Sequence, residues 1–228
     1  CYFVLIILIM SEIRMKKVVY LLLAFVFTSC INLKSPYPDI KYYRLSNEPL
    51  MLVNLDTLPV SVQLRNITIN DEFNTDHIIA TDAQTRKVQV YYYNRWISKF
   101  DDLATGFLLS RISSYGVFSG GFHPASSIND PDYILEGRVI NLTAINSEKK
   151  NSPDANSVEI TINCSFYRRS NEFSGLNLLF NKSYTQRVNR INNFVETIPQ
   201  ATSRAMALIS DMILVDMINH IKMDRNIN

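Results

Sequence analysis

Apolar and polar positions alternate most regularly in the second half of the chain. Within residues 157–168, one side of the pattern is apolar and consists of Val158, Ile160, Ile162, Cys164 and Phe166. Such a period of two is typical of a β-strand with one buried face. Residues 133–145 and 176–188 have strand composition on either side of this segment. The three segments together predict an antiparallel meander.

Shorter strand patterns come earlier in the chain. Residues 42–45 are aromatic, and residues 58–69 alternate but change phase near Asn66. A one-residue shift turns side chains to the other face of a sheet, so we expect a bulge or a strand break there. Residues 77–80 and 86–93 are apolar runs separated by a polar turn, and they predict a hairpin.

Two helices are predicted from apolar positions at helical spacing. Asp101 has the residue type and place of an N-cap for the first helix, which ends at Gly116. Its apolar face consists of Leu103, Phe107, Leu108 and Ile112. Thr197 is the expected cap of the second helix, which has Pro199 in its first turn and continues to the region of Ile221.

These elements predict an α+β fold. We expect a mostly antiparallel or mixed sheet of about six strands, with two main helices packed on one face. Residues 118–131 contain Gly120 and Gly121 and are expected to form a loop. Residues 42–228 show no repeat and no internal linker, so they are interpreted as one domain.

The first 41 residues have a different character. Residues 15–29 begin with Met-Lys-Lys, continue as an apolar run and end in small residues before Cys30, which is the plan of a signal peptide. Small residues directly before a cysteine resemble the bacterial lipobox, in which Cys30 would carry a covalent lipid. An uncleaved signal anchor and ordinary secretion are the alternatives. Residues 1–14 are interpreted as translated upstream sequence, and residues 30–41 as a lipidated tether.

Charge and cysteine content exclude several classes of protein. Residues 1–29 hold three basic residues and one acidic residue, which leaves 20 basic and 20 acidic residues in the remainder. A neutral body without a basic block disfavours nucleic acid as a partner. Three cysteines are too few for a disulfide framework or a four-cysteine zinc site.

No pattern of catalytic chemistry is visible. His77, His123 and His220 lack metal-ligand spacing, so no metal and no cofactor other than the lipid on Cys30 is expected. Cys164 alternates with apolar residues and is interpreted as a small buried side chain. A hydrolase would need a nucleophile beside a base, and the sequence shows no such arrangement. The protein is therefore predicted not to be an enzyme.

Several segments, in order along the chain, resemble the ABC-type transport auxiliary lipoproteins, the PqiC-like partners of MCE-domain lipid transporters. Tyr42-Tyr43-Arg44-Leu45 resembles the opening strand of that family, and Asn94-Arg95-Trp96 after three tyrosines resembles its aromatic strand and turn. Asp132-Tyr133-Ile134-Leu135-Glu136-Gly137 resembles its Asp-Tyr-x-Leu-x-Gly strand, and the terminal helix also fits. Residues 97–100 depart from the acidic, proline-containing run that usually follows the tryptophan.

The resemblance implies a non-catalytic lipoprotein of the outer membrane, acylated on Cys30 with palmitate and facing the periplasm. It would assist an MCE-domain protein and its ABC or permease components, and self-association is a further expectation. An outer-membrane assembly or structural lipoprotein without an MCE partner is the alternative.

Four residues are candidates for contact with a partner protein. Trp96 is the single tryptophan and lies beside Tyr92 and Arg95, and tryptophan is enriched at binding hot spots. Phe122 lies in the predicted glycine loop. Burial in the core is the alternative for Trp96, and packing of the loop onto the sheet is the alternative for Phe122.

Overall fold

A computed structural model of the chain describes residues 38–128, 130–147, 156–170 and 175–226. The predicted upstream segment, the signal peptide and Cys30 lie outside the described residues. Three long antiparallel strands dominate the sheet: β7 (Tyr133–Asn146), β8 (Ser157–Arg169) and β9 (Leu176–Asn189). The α+β class and the antiparallel meander are confirmed.

Six shorter strands complete the sheet on the other side of β7. They are β1 (Lys41–Tyr43), β2 (Val62–Leu64), β3 (Thr68–Ile69), β4 (His77–Asp82), β5 (Val88–Trp96) and β6 (Phe122–Pro124). Strands β2, β3 and β4 each pair in parallel with a different part of β7. The interruption between β2 and β3 confirms the break expected near Asn66.

The remaining strands extend the sheet at its margins. Strands β4 and β5 form the predicted antiparallel hairpin, and β1 pairs in parallel with the end of β5. Strand β6 pairs in parallel with β2. Residues 118–131 were expected to be a loop, and β6 corrects that prediction, because three residues are too few to show a periodic pattern. The described part of the sheet has nine strands, compared with the expected six or so.

Both helices pack against the buried face of the sheet. Helix α1 is Phe100–Ser114 and helix α2 is Thr197–Arg225. Neither predicted cap is correct: Lys99 and Glu196 occupy the N-cap positions and make no capping side-chain hydrogen bond. The end of α1 agrees with the prediction.

The glycine after α1 shows why the helix ends there. Gly116 has φ of 63°, a left-handed conformation that other residues adopt at an energetic cost. Ser113 O accepts a hydrogen bond from its amide at 3.1 Å, which satisfies one of the carbonyls that the helix leaves open.

A buried ion pair joins the two helices. Arg111 of α1 donates from Nε and Nη2 to the two carboxylate oxygens of Asp211 in α2, at 2.7 and 2.8 Å. It also donates to the backbone oxygens of Glu48 and Pro49 at 2.8 and 3.1 Å. Tyr115 donates its hydroxyl to Asp211 at 2.8 Å. This cluster fastens the extended segment before β2 to both helices.

A second polar network fastens the end of α2 to the start of β7. Asp132 accepts hydrogen bonds from the amide and hydroxyl of Ser61 at 2.7 and 2.9 Å, and from Arg225 at 2.9 Å. Tyr133 donates to Asp224 at 2.7 Å. Asp132 and Tyr133, which were noted in the sequence, therefore connect the start of β7 with the segment before β2 and with the end of α2.

Acid will weaken this second network. Burial by itself raises the pKa of Asp132, but hydrogen bonds from Ser61 and the charge of Arg225 outweigh it, so the pKa lies below its usual range. A lowered folded-state pKa gives stability that is complete above the unfolded value of about 3.9 and is lost as pH falls through the folded value. We expect the Asp132→Asn variant to lose about 1 kcal/mol at neutral pH, since the carboxylate is partly exposed.

Urea unfolding between pH 3 and pH 7 measures this effect. The unfolding free energy of the unaltered chain should fall more steeply on acidification than that of the Asp132→Asn variant. Glu72→Gln removes one negative charge from an exposed residue and serves as the control. Parallel pH profiles for the unaltered chain and the Asp132→Asn variant would contradict the assignment.

Candidate functional site

A bulge in β5 creates the most distinctive part of the surface. His77 pairs with Arg95, but the next residue of β4, Ile78, pairs with Tyr91. Residues 92–94 therefore have no partner on β4, and the strand is locally displaced. Tyr92 and Tyr93, within this displaced part, are 64% and 52% exposed.

Strand β1 lies beside this bulge and adds further exposed apolar side chains. Lys41, Tyr42 and Tyr43 pair with Asn94, Arg95 and Trp96 in sequence. Tyr42 is 60% exposed, and Ile97, whose amide donates to Tyr43 O at 2.8 Å, is similarly exposed.

The segment before α2 lies next to β1. Lys41 pairs with Glu196 at 3.0 Å, which brings in Phe194, two residues earlier in the chain and 65% exposed. We use the name aromatic edge for the exposed residues Ile40, Tyr42, Tyr92, Tyr93, Ile97 and Phe194. Grouped apolar side chains on a surface are typical of an interaction site, whereas single ones are normal.

Two basic residues beside the aromatic edge, Lys41 and Arg95, are paired with acidic ones. The hydrogen bond and charge of Glu196 raise the pKa of Lys41. Arg95 lies 3.3 Å from Asp76, which also lies 3.0 Å from the ring nitrogen of His77. The His77 ring meets the Tyr92 ring edge to face, with centroids 5.7 Å apart. The edge therefore offers aromatic and aliphatic surface with little net charge.

The four predicted partner-contact residues do not form one site. Tyr92 is exposed and Arg95 is partly exposed, and both lie at the aromatic edge. Trp96 is 4% exposed and packs on Phe100 with ring centroids 5.5 Å apart, which is the alternative considered for it. Phe122 is buried on β6, away from the edge.

Sequence reasoning did not identify Tyr42, Ile97 or Phe194 as surface residues. Tyr42 was recognised only as part of a strand, because alternation does not reveal that a strand lies at the margin of a sheet. Phe194 reaches the edge through an ion pair between residues far apart in the chain, and no local pattern reports such a pairing.

The side chains of Cys164, His123 and His220, which could react chemically, are buried or hydrogen-bonded to the backbone. Burial raises the pKa of the Cys164 thiol to about 12, so the thiol is protonated at neutral pH. His123 and His220 lie within 2.6 and 2.8 Å of the backbone oxygens of Gly120 and Asp216. Among the described residues, no group of three His, Cys, Asp or Glu side chains has metal-binding geometry.

The helices in the described part of the chain include none that is long and apolar enough to cross a membrane.

Comparison with solved structures establishes the fold but not the family. The chain is similar to the protein XCC0632 from Xanthomonas campestris, described as DUF330, with a TM-score of 0.68, 10% identity, and coverage of 82% of this chain and 99% of that one. A second structure, described only as an uncharacterized protein, has a TM-score of 0.57, 14% identity, and coverage of 78% and 99%.

A weaker likeness is to the lipoprotein GNA1162 from Neisseria meningitidis. It has a TM-score of 0.31 and 10% identity, with coverage of 67% and 99%, which is too low to support an argument. No family model matches the sequence. No curated protein sequence matches it either.

Proposed function

We propose that this protein is a lipid-anchored, non-catalytic accessory subunit of an MCE and ABC-type lipid transport system. It would be attached to the outer membrane through Cys30 and would face the periplasm. The observation that carries the proposal is the position of the aromatic edge, which lies where the chain coming from Cys30 enters the domain at Ile40. An exposed apolar surface and a membrane tether at the same place suit a subunit that works beside a membrane.

The fold supports this reading through the segments that resemble the family. Tyr42 and Tyr43 lie directly beside Arg95 and Trp96, so two segments that are far apart in sequence form one structural unit. Asp132, from a third segment, is held by Ser61 and Arg225. We expect the segments that characterise a family to contact each other in this way, because such contacts fix the arrangement of the strands.

The non-catalytic part of the proposal is supported by the surroundings of the reactive groups. The Cys164 thiol is buried with a raised pKa, and His77, His123 and His220 lie in different parts of the fold, on β4, on β6 and in α2. Nucleophilic catalysis requires a nucleophile within hydrogen-bond reach of its base. Cys164, His123 and His220 take part in no such pair in the described structure. His77 Nδ1 lies 3.2 Å from the Thr75 hydroxyl, but that hydroxyl also accepts a hydrogen bond from the His77 amide at 3.1 Å, so the contact belongs to a local turn.

Crosslinked affinity purification from intact envelopes tests the proposal. We expect the unaltered chain to recover an MCE-domain protein together with a permease or ATPase, and to carry labelled acyl chains. The Cys30→Ala variant should lose the acyl label and leave the outer-membrane fraction. Recovery of outer-membrane assembly proteins alone would favour a structural lipoprotein, and an acyl label retained by Cys30→Ala would exclude the anchor.

A further inference from the structure

We propose that the aromatic edge rests on the surface of the bilayer that holds the lipid anchor. This inference rests on the proposed lipidation of Cys30 but not on the identity of the transport partner. It assigns a contact to the protein domain itself, in addition to the contact made by the acyl chains. It also defines which side of the domain faces the membrane.

Chain length limits how far the edge can lie from the membrane. Nine residues lie between Cys30 and Ile40, and the ten steps from one to the other span at most about 36 Å in an extended chain. Ile40 and Tyr42 are the first exposed apolar residues that the structure describes after this connection. The anchor therefore keeps the edge within reach of the lipid.

The side chains of the edge are suited to a lipid interface. Tyrosine has an apolar ring and a polar hydroxyl, and it is enriched at the level of lipid headgroups for that reason. Tyr42, Tyr92 and Tyr93 supply three such groups, and Ile97 and Phe194 supply purely apolar ones. Apolar side chains buried at the interface add to the attachment made by the acyl chains, because membrane binding scales with buried apolar area.

The charges of the edge indicate what kind of membrane contact it makes. Lys41 and Arg95 are paired with Glu196 and Asp76, and Arg44 and Lys99 are the other exposed basic residues of the chain segments around Lys41 and Arg95. This is fewer than the cluster of about four to eight basic residues typical of an anionic-lipid site. Polybasic membrane sites depend on attraction to anionic headgroups. Contact through the aromatic edge should therefore depend little on the anionic lipid content.

The competing occupant is a protein partner, for which Tyr92 and Arg95 were predicted as contacts. The tether favours the bilayer as the occupant, because a lipidated Cys30 always keeps the domain within a maximum distance of the membrane. A protein bound at the same edge would have to fit between the domain and its own membrane. If the bilayer is the occupant, vesicles of pure lipid are sufficient for contact with the edge. If a protein is the occupant, lipid alone does not contact the edge.

Tryptophan fluorescence in vesicles containing brominated lipids tests the proposal. The full lipidated chain carries Trp96→Phe, which removes the single tryptophan, together with Tyr92→Trp as the reporter. The matched control combines Trp96→Phe with Leu178→Trp, an exposed apolar position on β9. Tyr92 lies on β5, and β5 and β9 are separated by β4, β7 and β8, which makes four steps of about 4.8 Å each.

We expect several-fold stronger quenching at Tyr92→Trp than at Leu178→Trp. The quenching should be similar with zwitterionic phosphatidylcholine alone and with added phosphatidylglycerol. Equal quenching at both positions, or none at Tyr92→Trp, would overturn the proposal and favour a protein occupant. Flotation of both variants with the vesicles shows separately that the lipid anchor is intact, so failure of the anchor is distinguishable from failure of the edge.

Hydrogen exchange of the unaltered lipidated chain gives an independent result that does not depend on the tryptophan variants. Residues 40–43 and 91–97 should exchange more slowly on vesicles than in detergent, while residues 176–180 should not change. Unchanged exchange in residues 40–43 and 91–97 would overturn the membrane contact.

Discussion

The Asp211→Ala variant is expected to lose about 3–5 kcal/mol of unfolding free energy, because it leaves a buried guanidinium without its counter-ion. Arg111 is 3% exposed, and Asp211 accepts two of its hydrogen bonds. Burial by itself lowers the pKa of Arg111, but the hydrogen bond and charge of Asp211 outweigh it and raise the pKa. Without Asp211, the cation keeps only the oxygens of Glu48 and Pro49 and the Tyr115 hydroxyl among the partners described here.

Two control variants distinguish the cost of leaving a buried charge unpaired from the cost of losing any ion pair. Asp56 pairs with Lys222 of α2 at 2.8 Å, but its side chain is 75% exposed, so Asp56→Ala should cost less than about 1 kcal/mol. The double variant Arg111→Met/Asp211→Leu replaces both charges by apolar groups and should recover most of the loss. Equal costs for Asp211→Ala and Asp56→Ala in urea unfolding would show that the buried pair has no special role.

The Phe166→Ala variant is expected to lose a similar amount, about 3–5 kcal/mol, because it opens a cavity in the core. Phe166 is fully buried on β8. Its ring lies between Tyr133 and Phe180, with centroid distances of 5.4 Å to each. The substitution removes both ring contacts, and the strands around them cannot close the space completely.

Phe194→Ala is the matched control for Phe166→Ala. It removes the same side chain from the aromatic edge, where 65% of the residue is exposed, and it should change the unfolding free energy by less than about 0.5 kcal/mol. Thermal or urea unfolding of the two variants makes the comparison. A large loss for Phe194→Ala would show that the aromatic edge supports the fold and is not free for binding.

Long strands and helices were predictable because each carries its own pattern. The alternation in β8 marks its buried face, and the buried side chains Val158, Ile160 and Ile162 lie on the predicted side. Helix α1 likewise buries Phe107 and Leu108 as predicted. In these elements the alternation between buried and exposed positions is visible in consecutive residues, so a single sequence is sufficient to predict them.

Features that depend on contacts between distant segments were not predictable. Arg111 and Asp211 are 100 residues apart, and an arginine or an aspartate in a helix ordinarily faces solvent. The β5 bulge depends on its register with β4, which local alternation does not specify. The aromatic edge was therefore only partly predicted, through Tyr92 and the neighbouring Arg95.

The arrangement of strands around β7 has a consequence for how the chain folds during synthesis. Strands β2, β3 and β4 all pair with β7, and Val62 meets Tyr133 only after 71 intervening peptide links. Strand β3 pairs with β7 alone, and β2 and β4 leave one edge open until β7 has been made, although they can already pair with β6 and β5. Strands β7, β8 and β9, in contrast, pair with their immediate neighbours in sequence. Non-local pairing of this kind is slow and leaves strand edges open to aggregation, so we expect the first half of the nascent chain to be the part most exposed to aggregation before β7 is complete.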